Sequence, residues 1–97
     1  MKRADAVQVL TECAAELRTR FGVSELSLFG SVARDEARDD SDVDVMVSFV
    51  STPSFTSFME LKEFLEQRMG TRVDLVTRAG LKARVRPHVE REALRVA

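Results

Sequence analysis

The first 22 residues have the pattern of an amphipathic helix. Apolar side chains recur at three- and four-residue spacing: Ala6, Leu10, Cys13, Ala14, Leu17 and Phe21. This spacing places them on one helix face, and Gly22 is a natural stop after it. The pattern predicts a helix ending at Phe21, in which Cys13 is a small buried apolar residue.

Short apolar segments further along the chain predict strands. They are Leu26–Phe29, Val43–Phe49 and Val73–Val76. The second is the clearest, because β-branched residues favour the extended backbone.

Helical patterns separate these strands. A short helix is expected from Ser31 to about Arg38, and a longer one runs to about Met69. Ser57 and Glu60 have the spacing of a capping box at the start of the longer helix. The tail, residues 79–97, is helical in composition, with a break expected before Pro87.

This order of elements predicts the fold class. Helices alternate with strands along all 97 residues, and no linker divides the chain. The expectation is one α/β domain over residues 1–97, a small mixed sheet of three strands (with a fourth allowed) flanked by helices.

Composition excludes several classes of protein. The net charge is −1, and the basic residues form no run, which argues against a nucleic-acid-binding module. The single cysteine allows no internal disulfide. No apolar run approaches the ~20 residues of a membrane span, and no signal core follows the start. A cytoplasmic protein without membrane contact is expected.

Candidate chemistry begins with Asp42 and Asp44. Alternate residues of a strand share a face, so these two carboxylates project to the same side while the valines face the other. Each carboxylate disfavours ionisation of the other, and a divalent cation such as Mg²⁺ removes that difficulty. Taken alone, the pair is more often a solvated strand edge.

Gly30 and Ser31 add a candidate phosphate site. They follow a predicted strand and open a predicted helix, where glycine permits close backbone approach and free N–H groups attract anions. Arg34, one turn later, adds a permanent positive charge. Each feature alone also fits a plain turn or a surface helix.

Asp74 is the third acid. It interrupts a short apolar strand, which suggests either a functional face or an edge charge that prevents aggregation. Should its strand neighbour that of Asp44, three carboxylates would surround two metal ions that clamp an in-line phosphoryl displacement. Asp74 would then also accept the proton of the attacking hydroxyl.

These segments together resemble a known family. Leu28 to Arg34, six further residues, and then Ser41-Asp42-Val43-Asp44 resemble the signature of polymerase-β-like nucleotidyltransferases, more narrowly the minimal nucleotidyltransferases (MNT) of prokaryotes. Residues 73–77 resemble that group's third-carboxylate strand. The family commonly has glycine where this chain has Asp35.

The resemblance implies a nucleotidyltransferase fold and assigns roles to residues. Asp42, Asp44 and Asp74 are the implied metal-binding and catalytic carboxylates. The implied nucleotide-binding residues are Gly30, Ser31, Arg34 and Ser41. The implied cofactor is Mg²⁺, with two ions, and ATP is the substrate.

The resemblance also implies a partner. Many such proteins are antitoxins that transfer AMP to a tyrosine of a HEPN-family ribonuclease toxin, releasing pyrophosphate, in a hetero-oligomer with that toxin. Two alternatives remain open at this stage. One is nucleotidylation of a small molecule, such as an aminoglycoside, and the other is an antitoxin that masks its toxin sterically.

Overall fold

The computed structural model describes residues 1–97. The protein consists of helices and a four-stranded mixed sheet. In chain order the elements are α1 (Arg3–Glu12), α2 (Ala14–Phe21), β1 (Val23–Phe29), α3 (Gly30–Ala33), β2 (Val43–Phe49), α4 (Phe55–Met69), β3 (Val73–Thr77), α5 (Arg86–Glu92) and β4 (Leu94–Arg95). The α/β class expected from the sequence is confirmed.

The strand order is β3-β2-β1-β4. β1 runs antiparallel to both β2 and β4, whereas β2 and β3 are parallel. Parallel neighbours require a crossover connection, and α4 supplies it. The start of β2 therefore lies beside the start of β3 and beside the end of β1.

Alternation along β2 separates the core from the opposite face of the sheet. Val43, Val45 and Val47 are each 0% exposed and belong to the main core cluster. Leu10, Leu17, Leu61 and Leu65 from the helices pack into the same cluster. Asp44 alternates with these valines and lies on the opposite face.

The N-terminal helix is broken where the sequence predicts one continuous element. α1 ends at Glu12, Cys13 leaves the helical conformation at ψ 10°, and α2 begins at Ala14. Cys13 is buried, as expected, and burial raises the pKa of its thiol. α2 ends at Phe21 because Gly22 adopts a left-handed backbone, φ 68°.

The predicted capping box on α4 is wrong. The helix begins at Phe55, and its N-cap is Ser54, whose Oγ accepts a hydrogen bond from Ser57 N–H at 3.1 Å. Ser57 thus lies inside the first turn. Ser54 rather than Ser57 is the N-cap because Ser54 has the extended backbone that this position requires, φ −70° and ψ 162°.

Two further boundaries differ from the predictions. α3 ends at Ala33 rather than near Arg38, because Asp35 takes a left-handed backbone that no α-helix continues. The tail forms turns, then α5 with Pro87 in its first turn, and then the two-residue strand β4. No helix has the length and apolarity needed to cross a membrane.

Candidate active site

Asp44 and Asp74 lie side by side on the open face of the sheet. They are register partners in the parallel pairing of β2 with β3. Their strand neighbours Val43, Val45 and Val73 are buried in the core, so both carboxylates point to the other side. The sheet thus brings together two acids that are far apart in the sequence.

Burial and neighbouring negative charges alter the ionisation of Asp44. The pKa of Asp44 is raised to about 6, first by partial burial and then by the negative charges of Asp74 and Asp42. A hydrogen bond with Asp74 acts in the same direction, and the Arg34 charge opposes it. A bound cation would relieve this repulsion.

Asp42 occupies the exposed position just before β2. Its Oδ1 lies 3.1 Å from Nε of Arg72, which itself precedes β3. Both side chains are largely in solvent, at 45% and 79% exposure, so this ion pair is weak and exchangeable. No group of three or more His, Cys, Asp or Glu side chains has metal-binding spacing. Asp42 therefore does not join Asp44 and Asp74 in a group of three with metal-binding spacing.

Gly30 holds the end of β1 against the acid pair. Phe29, which precedes it, is the register partner of Asp44. Gly30 has φ 70°, and a Cβ built on it would overlap the Asp44 carboxylate. Both the backbone angle and the close approach therefore require glycine here. The predicted phosphate turn is thus adjacent to the predicted metal carboxylates.

The other predicted nucleotide-binding residues occupy different positions around this turn. Ser31 is half-buried in α3. Arg34 is exposed at the end of α3, and its Nη1 lies 2.9 Å from Glu92 Oε2. Ser41 closes a turn, because its Oγ accepts a hydrogen bond from Arg38 N–H at 3.0 Å. Of the four predicted nucleotide-binding residues, Gly30 lies against the acids. Ser41 instead stabilises its own turn through the hydrogen bond from Arg38.

The backbone conformation of Asp35 explains why the family commonly has glycine at this position. Its backbone is left-handed, φ 59°, a conformation that glycine adopts freely and aspartate tolerates better than most residues. Its Oδ1 also accepts a hydrogen bond from Arg3 N–H at 3.0 Å. The departure from the family pattern therefore retains the loop turn and ties it to the start of α1.

Glu92 is a residue of this site that no sequence motif indicates. Its Oε1 accepts a hydrogen bond from Gly30 N–H at 3.1 Å, across 62 positions of sequence. Partial burial acts to raise the pKa of this carboxyl, but hydrogen bonds from Gly30 and Arg34, with the Arg34 charge, outweigh it and lower the pKa. No local pattern identifies such a contact; only pairing of the tail with β1 brings it about.

The acid pair lies on an open surface rather than in a cleft. The largest concavity, about 240 Å³, is at the other end of β2 and β3, where Val47, Phe49, Pro53 and Thr77 line it. None of the three acids lines it. The carboxylates are therefore reached from an exposed face of the sheet.

Comparisons with known proteins agree with this geometry. The profile of the family described as "Nucleotidyltransferase domain" matches residues 10–96. The chain is 49% identical to the protein adenylyltransferase MntA of Thermococcus cleftensis, over 91% of this chain and 89% of that protein. The resemblance inferred from the sequence is confirmed.

Solved structures share the fold. A structure assigned as a minimal nucleotidyltransferase superposes with a TM-score of 0.81 at 39% identity, covering 97% of this chain and 95% of that one. A chain in the structure of a tri-AMPylated Shewanella oneidensis HEPN toxin in complex with an MNT antitoxin gives 0.68 at 19% identity, covering 94% and 71%. At 19% identity, the second similarity shows a common fold and no more. From the profile match, the identities and the shared architecture, the chain belongs to the nucleotidyltransferase domain family.

Proposed function

We propose that this protein is a metal-dependent protein adenylyltransferase that transfers AMP from ATP to a tyrosine of a HEPN-family toxin and releases pyrophosphate. The observation that carries the proposal is the pairing of Asp44 with Asp74 beside the Gly30 turn. A protein acceptor is supported by the 49% identity to a protein adenylyltransferase. The choice of a HEPN toxin follows the toxin that is bound to a chain of the same fold in a solved complex.

The donor set fits a divalent cation. The pair offers carboxylate oxygens, and burial together with the neighbouring negative charges raises the pKa of Asp44 to about 6. Mg²⁺ prefers oxygen ligands, commonly one or two carboxylates plus substrate phosphates. Asp44 and Asp74 would hold it, and Asp42 would join them on exchanging its exposed ion pair with Arg72 for the cation. Bound there, Mg²⁺ supplies charge neutralisation on the reacting phosphate oxygens.

Residues of the chain itself bind the triphosphate and accept the proton of the attacking group. Gly30 permits close approach of the triphosphate, while the Ser31 hydroxyl and the Arg34 guanidinium donate hydrogen bonds to its oxygens. Asp74 accepts the proton of the attacking tyrosine hydroxyl at a carboxylate oxygen. The tyrosine oxygen bonds to the α-phosphorus as the bond to the bridging oxygen of pyrophosphate breaks.

The acceptor tyrosine must come from another molecule. This chain contains no tyrosine, and the acids lie on an open face that admits a protein surface. We place the reaction in the cytoplasm, where ATP and Mg²⁺ are available, within a complex of the chain and its toxin.

The test is AMP transfer in vitro. The protein is incubated with α-labelled ATP, Mg²⁺ and a HEPN-family toxin, with the product of the adjacent gene as the first choice, and the toxin is analysed by mass spectrometry. One or more AMP units on a toxin tyrosine are expected, with none from Asp44→Asn or Asp74→Asn, which keep the fold. Because the chain has no tyrosine, a tyrosyl–AMP signal cannot be self-modification.

Other outcomes separate the rival functions. An unmodified toxin in a stable complex would establish steric masking instead. AMP on an aminoglycoside but not on the toxin would establish a small-molecule enzyme. Full transfer by Asp44→Asn would refute the carboxylate assignment.

A further inference from the structure

The last residue of α5 connects the C-terminal segment to the phosphate turn. Glu92 accepts two hydrogen bonds, from Gly30 N–H at 3.1 Å and from Arg34 Nη1 at 2.9 Å. Its side chain is 20% exposed, compared with 44% for Arg34. One carboxylate therefore bridges the phosphate turn and Arg34. The Gly30 N–H is taken by this bridge and is not free for phosphate, whereas the guanidinium of Arg34 has further N–H donors.

Both contacts are of the strong kind. The Arg34 bond joins opposite charges, and the Gly30 bond joins a backbone donor to a carboxylate; charge-assisted bonds of this type are shorter and stronger than neutral ones. Partial burial of Glu92 limits screening by solvent. The bridge therefore restrains the peptide of Gly30 and the guanidinium of Arg34 together.

The restraint reaches the carboxylates through Gly30. Its Cα leaves no space for a Cβ beside Asp44, so a shift of this peptide changes the distance between the turn and the acid pair. β4 stabilises the arrangement, because Leu94 and Arg95 pair with Leu28 and Ser27 of β1, two and three residues before Gly30. The tail thus anchors Glu92 to the strand that carries the turn.

We propose that Glu92 is a positioning residue for nucleotide binding, fixing Gly30 and Arg34 in the geometry that receives the triphosphate. This inference rests on the proposed function for the location of the phosphates. Glu92 itself touches no reacting atom. Its loss should therefore raise KM for ATP more than it lowers kcat.

Nucleotide binding is measured by calorimetry, and KM for ATP and kcat are taken from the AMP-transfer assay of the same variants. The affinity for a non-hydrolysable ATP analogue with Mg²⁺ is determined by calorimetry for the wild type, Glu92→Ala and Glu92→Gln. Glu92→Ala should weaken binding about tenfold, a typical size for coupling between contacting groups. Glu92→Gln, which retains one acceptor, should lie between it and the wild type, and it replaces Glu92→Ala should that variant not fold.

A matched control lies two residues away. Glu90 on the same helix forms a comparable ion pair with Arg78, at 2.9 Å, and contacts neither Gly30 nor Arg34. Glu90→Ala should lose similar stability and keep wild-type affinity for the analogue. In an Arg34→Ala background, the effect of Glu92→Ala should shrink, because one of the two bridged groups is already absent.

The outcomes distinguish the two proposals. Wild-type affinity in Glu92→Ala, or equal weakening by Glu90→Ala, would overturn the positioning assignment. A wild type that binds the analogue but modifies no protein overturns the proposed function, while the Glu92 variants still decide this inference. A wild type that binds no nucleotide overturns both.

Discussion

The ionised carboxylate of Asp44 lowers the stability of the folded protein when no cation is bound. Its pKa is raised from 3.8 to about 6 by burial and by its acidic neighbours. For an acid whose folded-state pKa lies above its ordinary value, the folded state favours the protonated form. The associated stability is fully present below pH 3.8 and is lost as the pH rises through about 6.

Asp44→Asn should therefore stabilise the cation-free protein above pH 6. We expect a gain of about 1 kcal/mol in the free energy of unfolding, discounted for the partial exposure of the site. The gain should vanish below pH 3.8, where the wild-type carboxyl is also neutral. Denaturant titrations at pH 7.5 and pH 3.5 in chelator measure this difference. Asp39→Asn in the exposed loop is the control, and an equal gain there would contradict the explanation.

Gly30 and Gly70 form a natural pair for comparison. Both have φ 70°, but a Cβ on Gly70 meets nothing within 4 Å, whereas one on Gly30 overlaps Asp44. Gly70→Ala should cost about 1 kcal/mol from backbone strain alone and retain activity.

Gly30→Ala should cost more stability and lower AMP transfer about 100-fold, because it displaces the turn from the acids. Thermal unfolding and transfer assays on the two variants check this prediction. Similar losses of activity in both would show that backbone strain, rather than contact with Asp44, makes glycine necessary at position 30.

At the scale of elements, α4 is the crossover that makes β2 and β3 parallel neighbours. Its start is fixed by Ser54, whose Oγ accepts from Ser57 N–H. Ser54→Ala should lower the free energy of unfolding by about 1 kcal/mol, the usual value of an N-cap.

Glu60 tests the competing prediction of a capping box. It lies in the second turn of α4 rather than at the third helical position, so Glu60→Ala should change stability by less than about 0.5 kcal/mol. Chemical denaturation of both variants compares them directly. A larger loss from Glu60→Ala than from Ser54→Ala would show that the helix begins at Ser57 in solution.

At the scale of the molecule, the C-terminal segment closes the sheet edge beside the site. Besides the β4 pairs, Leu26 N–H donates to Ala97 O at 3.1 Å, and Val96 N–H donates to Leu26 O at 2.9 Å. Deleting residues 93–97 should cost about 2 kcal/mol or more, at roughly 1 kcal/mol per net hydrogen bond.

The same deletion should weaken binding of the ATP analogue although Glu92 remains. Its strand anchor is lost, so we expect an effect near that of Glu92→Ala, about tenfold. Arg95→Ala keeps the backbone pairing and is the control for calorimetry and thermal unfolding. Wild-type affinity in the truncated chain would show that α5 holds Glu92 without β4.

Periodicity in the sequence predicts those helices and strands that bury only one face in the core. β2 and α4 were predicted because their apolar residues follow strand and helix periods, and these residues form the core. Boundaries set by single backbone angles were missed: the break at Cys13 and the left-handed Asp35 both depend on conformations that periodicity does not encode.

The sequence by itself determined the chemistry available to this protein: the carboxylates, the glycine turn and a family signature that names them. Local pattern is sufficient there, because residue type and short spacing define the motifs. Only the tertiary structure decided that Asp74 pairs with Asp44 and that Glu92 reaches Gly30. Strand order and register set those contacts, and both arise from the packing of distant segments around one core.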